Sequence, residues 1–205
     1  MSLDYLEFDR CLSAAAKVHG DICAGLTIGT RMAIAGLKAI GVEDPKGKDK
    51  KNLLVFVEID RCATDAIMAI TGCQPGRRTM KILDYGKMAA TFLNLKTGKA
   101  VRLTVREKEE NRTEKGAFKE TGEEPGSLID LYTSLPDEKL FNMQEVVLIV
   151  RPQDMPGKPL RVVKCDMCGE RVMDMRERYK HGKTLCKPCA EGTCYYSLHV
   201  TQPGK

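Results

Sequence analysis

An imidazole, a carboxylate and a thiol fall within five residues of one another in the stretch Val18-His19-Gly20-Asp21-Ile22-Cys23-Ala24-Gly25-Leu26. Groups of this kind ligate metals, carry protons or act as nucleophiles. Further along, Cys62 precedes Asp65 by three residues and Cys73 follows. Cys23 and Cys62 are both expected at helix starts, where unpaired amides favour negative charge and lower a thiol's pKa. His19, Cys23, Cys62 and Cys73, if they converge, make a soft divalent-metal site with one position left for water or a ligand. His19, Cys23, Cys62 and Asp65 are also the candidates for catalysis. The cysteines would serve as ligands or nucleophiles, His19 as ligand or proton carrier, and Asp65 as the group that orients it. Lys87 could place a positive charge near an anionic ligand, or be a surface lysine at a turn. The competing reading is that the three cysteines are small buried hydrophobes and His19 a loop residue, because no CxxC or HxxxH spacing links them.

A second set of sulfurs has regular spacing. Cys165-x2-Cys168 and Cys186-x2-Cys189 are separated by 17 residues, which fits a four-cysteine zinc site. Each CxxC turn aims two sulfurs at one point, and four thiolates complete a closed tetrahedron, so the expected role is structural. Gly169 suits a tight knuckle, a hairpin is expected around His181-Gly182-Lys183, and Pro188 suits the first turn of a helix holding Cys186 and Cys189 at its start. Knuckle, hairpin and helix together resemble a treble-clef finger. His181 is a hairpin-tip residue rather than a ligand, and Cys194 lies outside the set.

The elements that must position these groups follow from pattern. Helices are expected over Asp4–Lys17 and Ile22–Ile40, with Gly20 closing the first and Asp21 capping the second. Leu53–Ile59 reads as a buried strand, Arg61–Thr71 as a helix, and Gly72–Gly76 as a turn. Strands are expected over Lys81–Tyr85, Ala89–Lys96, Ala100–Arg106 and Glu145–Val150. The Glu- and Lys-dense segment Glu107–Gly126 reads as a linker or mobile flap, followed by a helix capped by Ser127 and a short helix from Asp137. The fold class is α+β: an antiparallel sheet with packed helices, plus a small C-terminal zinc finger. Residues 1–150 form the core domain, 151–160 a Pro-rich linker, and 161–205 the finger.

Composition narrows the rest. With no Trp and 5% aromatics, the core must be aliphatic. No apolar run reaches the roughly 18 residues of a membrane span, and the N-terminus has neither the basic nor the apolar region of an export signal, so a cytoplasmic protein is expected. Nine cysteines in that setting argue for thiols and metal ligands over disulfides. The segment from Arg151 to Lys205 holds 11 basic and 6 acidic residues, so it carries the whole +5 of the chain; four zinc-bound thiolates would reduce that to about +3. Arg171, Arg176, Arg178, Lys180 and Lys183 permit contact with protein or nucleic acid, without an aromatic row for stacking bases.

The motifs His19-Gly20-Asp21-Ile22-Cys23-Ala24-Gly25, Cys62-x2-Asp65-Ala66, Thr71-Gly72-Cys73-x2-Gly76 and Asp84-Tyr85-Gly86-Lys87-Met88-Ala89, in that order, resemble the FmdE family of formylmethanofuran dehydrogenase proteins. The tail is similar to the DksA/TraR class of zinc fingers. The family's usual first motif is His-Gly-His-x-Cys-Pro-Gly; here Asp21 stands at the second histidine and Ala24 at the proline, which changes any metal site built on that histidine, although a carboxylate also binds zinc. The resemblance implies an α+β core, a homodimer, and association with a molybdenum or tungsten enzyme that reduces carbon dioxide onto methanofuran. Two functions are therefore carried forward. One is a metal-binding protein, accessory to such a dehydrogenase complex, with zinc in the finger and a second zinc or other divalent metal in the core. The other is a dimeric scaffold whose finger contacts protein or nucleic acid. Neither phosphate-loop, dinucleotide nor serine-triad signatures are present, and the sequence leaves open whether the core pocket catalyses anything.

Overall fold

A computed structural model describes residues 7–106 and 125–197, and the chain divides into two units, Met1–Ile149 and Val150–Lys205. The expected linker or flap over residues 107–126 falls almost wholly outside the described residues. Among the described residues, no helix is long and apolar enough to cross a membrane.

The first unit is a five-stranded sheet with helices packed on it. Its elements are α1 (Phe8–His19), α2 (Ala24–Ala39), β1 (Leu53–Val57), α3 (Cys62–Thr71), β2 (Met80–Ile82), β3 (Ala89–Asn94), β4 (Ala100–Val105), α4 (Pro125–Ser134), α5 (Asp137–Leu140) and β5 (Phe141–Glu145), with strand order β2-β1-β3-β4-β5. The sheet is antiparallel except at one edge, where β2 runs parallel to β1. The exception has a simple cause. Helix α3 carries the chain back along β1, and a strand entered after such a crossover runs in the same direction as the one before it. The last strand forms at Phe141–Glu145, ahead of the expected Glu145–Val150, because Leu140 and Phe141 are the residues that reach the core. Helix α4 begins at Pro125, so Ser127 is its third residue and not its cap.

Helix α2 is the axis of this unit. Eleven of its sixteen residues are buried. Its inward face and the sheet's, with Val55, Val57, Phe92 and Leu103, form one hydrophobic cluster, aliphatic but for Phe92 and Phe141 among its buried residues. Two glycines set how closely it packs. A methyl group on Gly36 would lie 2.3 Å from the Phe92 ring, and one on Gly29 would lie 2.5 Å from Ala63 Cα in α3. At Gly29 the obstacle is backbone, which has no rotamer to retreat into. Gly29→Ala should therefore cost about 2–3 kcal/mol by overpacking, measured as a fall in the denaturation midpoint at constant slope.

One charged pair lies against the sheet. Glu58 is buried and accepts from Arg102 through both oxygens, at 2.7 Å and 2.8 Å. The Arg102 guanidinium holds the Glu58 carboxyl below its ordinary pKa. A carboxyl depressed by folding adds stability above its unfolded pKa, and loses it as pH falls through the lower, folded value. Glu58→Gln should cost about 2 kcal/mol at neutral pH by leaving Arg102 half-paired. It should also flatten the acid limb of a plot of melting temperature against pH.

Candidate metal centre

The core site forms where three helix ends meet. Gly20 closes α1 with φ 111°, its N–H donating to the Ala16 carbonyl; that backbone angle is costly for a residue with a side chain. The short turn that follows delivers Cys23 to the start of α2. Cys23 is the N-cap there, in place of the expected Asp21: its Sγ accepts from the Leu26 N–H at 3.3 Å. Asp21 stays 76% exposed, with its carboxylate 3.8 Å from His19 Nε2. Cys62 is the first residue of α3. One turn along α3, Asp65 accepts a hydrogen bond from His19 Nδ1 at 2.8 Å. That contact leaves Nε2 as the nitrogen facing the sulfurs, 3.9 Å from Cys23 Sγ. The ligand atoms of His19, Cys23 and Cys62 all lie within 4.8 Å of one another.

The electrostatics set the two thiols of the cluster apart. Burial pushes the Cys23 thiol up, but the Leu26 amide, the Cys62 thiol, the Gly25 amide and His19 together bring it below the ordinary value. Cys62 goes the other way, raised by burial and by the neighbouring Cys23 sulfur. Asp65 raises the His19 pKa by its hydrogen bond. Two sulfurs side by side cannot both ionise cheaply without a positive charge between them.

Cys73 does not join this cluster. It is buried in the core cluster, its Sγ donating to the Leu53 carbonyl at 3.9 Å, and burial pushes its thiol up to about 11. It behaves as a small hydrophobe. Gly25 belongs to the site although no chemistry marks it in the sequence. A methyl group there would meet Cys62 Cβ at 3.1 Å, Cys62 Sγ at 3.6 Å and Cys23 Sγ at 3.8 Å. Its signal in the sequence is the four-residue spacing to Gly29, which places both on one helix face.

The same end of the core holds a cavity of about 450 Å3 lined by Gly25, Ile28, Lys87, Thr104 and Tyr132 among others. Arg31 of α2 fixes its far wall, donating to the carbonyls of Tyr132, Thr133 and Leu135 and pairing with Asp137.

The second unit contains β6 (Val162–Lys164), β7 (Arg171–Met173), β8 (Arg178–Lys180), β9 (Lys183–Leu185) and α6 (Lys187–Glu191). β6 pairs with β7 and β8 with β9, both antiparallel. Cys165, Cys168, Cys186 and Cys189 converge to within 4.8 Å. Gly169 makes the knuckle at φ 76°, and Cys186 stands at the N-cap of α6 with Pro188 in the helix's first turn. The Cys168 and Cys186 amides lower the Cys165 thiol to about 6, while the Cys186 thiol pushes Cys189 up to about 12. His181 sits at the hairpin tip with φ 51°, outside the cluster. Cys194 is exposed and outside it as well.

Both units match known proteins. The family model described as "FmdE, Molybdenum formylmethanofuran dehydrogenase operon" matches residues 18–142, the span that holds the His19–Cys23–Cys62 cluster. The chain belongs to the FmdE family. A second model, the prokaryotic dksA/traR C4-type zinc finger, matches residues 158–193, so the four-cysteine cluster of the second unit is that of a C4 zinc finger. A curated relative from Archaeoglobus fulgidus, named "Probable S-adenosyl-L-methionine-binding protein", is 30% identical over 92% of this chain and 54% of its own length. The chain thus spans about half the length of that relative. Among solved structures, a tungsten formylmethanofuran dehydrogenase FmdE-like protein from Syntrophus aciditrophicus is 20% identical, with a TM-score of 0.58 over 96% of this chain and 100% of its own. The two share a fold.

The His19–Asp65 contact generates a direct test. Asp65→Asn keeps the shape of the side chain but removes the charge that supports the imidazole. It should weaken metal binding at the core cluster about 10- to 100-fold while leaving the melting temperature within a few degrees, read by competition against a chromophoric chelator. Cys73→Ser, by contrast, should leave metal affinity unchanged.

Proposed function

We propose that this FmdE-family chain is a metal-binding accessory of a formylmethanofuran dehydrogenase-type molybdenum or tungsten complex, acting as a cytoplasmic homodimer. In this reading the core cluster holds a divalent metal, zinc foremost, and the finger holds a structural zinc. The observation that carries the metal assignment is the convergence of one imidazole and two thiols within 4.8 Å, with the imidazole's other nitrogen held by a carboxylate. Two sulfurs and one nitrogen suit zinc, and three protein ligands leave a fourth position open. A metal bound there would act as a Lewis acid on whatever occupies that position. The protein's own groups do the rest. Cys23 and Cys62 supply negative charge, Asp65 fixes the ring of His19, and the Leu26 amide orients the Cys23 sulfur. Asp21, exposed beside His19, is available as a carboxylate ligand or as a base at the rim. The accessory role is supported by the family's operon description and by the name of the Syntrophus relative.

The finger offers a second, compatible role in protein contact. Met167, Met173, Tyr179 and Tyr195 are exposed there. Two of its arginines are already paired, Arg176 with Asp154 and Arg161 with Glu177, and Lys180 donates to the Ala190 carbonyl. Apolar side chains among partly neutralised cations suit a protein surface better than a phosphate backbone.

Metal analysis of the full chain tests the assignment. Wild-type protein purified without chelator should carry two equivalents of metal, and Cys23→Ser and Cys62→Ser should each carry one while remaining folded by circular dichroism. If both variants keep two equivalents, the core site is wrong. For the accessory role, affinity capture of the tagged chain from cells expressing a formylmethanofuran dehydrogenase should bring down its molybdenum- or tungsten-bearing subunit; elution without it refutes that role.

A further inference from the structure

The cavity beside the cluster has walls of unequal character, and they define what fits. Ala24, Ile28, Met88 and Val105 give an apolar middle, Thr104 and Tyr132 give hydrogen-bonding groups, and Lys87 is the one charged residue among the described lining residues. The cavity's volume of about 450 Å3 is within the range of small-molecule sites. Two carboxylates of the neighbouring elements are already committed. Glu58 is taken by Arg102, and Asp65 by His19. The lining residues themselves therefore carry one charge, that of Lys87, which also acts on the Glu58 carboxylate already paired with Arg102.

Gly25 connects this cavity to the sulfurs. It lines the cavity, and the space a side chain would take there lies 3.6 Å from Cys62 Sγ and 3.8 Å from Cys23 Sγ. Nothing larger than hydrogen stands between the two at that point. The loop that carries Lys87 is held in place from both sides: the Lys87 N–H donates to the Glu58 carbonyl, and the Val105 N–H donates to the Met88 carbonyl. The backbone of Lys87 is thus fixed at the wall, and its exposed side chain carries the ammonium to 5.9 Å from the Tyr85 ring centroid, from which a flexible stem can turn to an anion in the cavity.

We propose that this cavity is the ligand chamber of the metal centre, and that it takes a small organic carboxylate. The anionic end pairs with Lys87, the apolar body lies along Ile28, Met88 and Val105, and the other end approaches the cluster past Gly25. This rests on the metal-centre reading for its second half only; the pairing with Lys87 stands on the cavity itself. A single flexible ammonium suits a monoanion, where a phosphate ester would call for an arginine fork or several donors. A sulfonium such as S-adenosylmethionine has no carboxylate among the described lining residues to balance its charge.

Titration calorimetry on the full, metal-loaded chain tests this with hexanoate as probe, hexanamide as its uncharged counterpart, and S-adenosylmethionine as the competing ligand class. Metal content is measured first on every sample. Hexanoate should bind, Lys87→Met should weaken it about tenfold or more, and Lys87→Arg should restore most of the affinity. With cobalt(II) in the core site, hexanoate should shift the visible spectrum, and Lys87→Met should raise the hexanoate concentration that shift requires while leaving the spectrum of the unliganded cobalt site unchanged. Hexanamide binding as tightly as hexanoate, hexanoate binding that Lys87→Met leaves unchanged, or no binding of hexanoate at millimolar concentration overturns the proposal. So does tight S-adenosylmethionine binding that Lys87→Met leaves untouched. If metal is absent from the core but hexanoate still binds through Lys87, the metal-centre reading has failed and the carboxylate chamber has not.

Discussion

The close approach of α2 and α3 is the constraint on which the site depends. Helices whose side chains interleave normally keep their axes 8–10 Å apart. Here Gly29 faces Ala63 with no room for a methyl group, and Gly25 faces Cys62 with almost none. The two glycines, one turn apart, let the backbones touch along the very stretch where Cys23 and Cys62 begin their helices. A larger residue at either position would push α3 outward and carry Cys62 and Asp65 with it. The thiol pair and the His19–Asp65 contact would then open together, because both depend on one helix-to-helix distance. Packing and chemistry share a cause here, and the small residues that weaken helix propensity are kept for a distance that nothing larger permits.

The two clusters solve the same electrostatic problem with different degrees of closure. Where thiols crowd together, one ionises more readily at the cost of its neighbour: Cys23 is lowered and Cys62 raised, Cys165 lowered and Cys189 raised. A divalent cation relieves such crowding, and the finger's four sulfurs match a C4 zinc site. In the finger four sulfurs leave no position for anything else, and the unit's short strands and five-residue helix could not bury enough surface to hold themselves together. In the core the sheet and α2 already provide that burial. The three ligand-type groups there are not needed to hold the fold together, and they lie beside a cavity.

How much of this is legible in the sequence follows from range. The finger's ligands are fully legible, since they come in pairs three residues apart and each pair is fixed by a local turn. Helices α1, α2 and α3 and the hairpin of β3 and β4 are legible from periodicity and glycine stops. Cys73 is not, because distance along the chain carries no direction: it follows α3 as Cys62 precedes it, and so emerges at the opposite end of that helix, where the surroundings are apolar. Residue preference favours Asp21 as a cap, but the thiol of Cys23 sits closer to the free amides. The parallel edge strand escapes a sequence reading because strand direction depends on a crossover that alternation along β2 cannot reveal. The cavity is beyond reach, since its lining comes from α2, β4, α4 and the loop before β3, which only the tertiary fold assembles.

Cys23, His19 and Asp65 have by themselves the arrangement of a thiol nucleophile, its base and an orienting carboxylate. What tells against that role is the second thiol. A nucleophilic cysteine needs space beside its sulfur for the carbon it attacks, and here a second sulfur stands within 4.8 Å. The neighbouring thiol helps to lower Cys23, but under oxidation it would pair with it and consume the nucleophile. For a metal ligand the same neighbour is an advantage, since a second sulfur raises affinity for a soft cation and helps exclude harder ones. His19 does not decide between the two roles by itself: with Nδ1 tied to Asp65, its Nε2 is presented toward the sulfurs as a fixed lone-pair donor, which serves a cation or a proton equally, so it is the second sulfur that sets the balance.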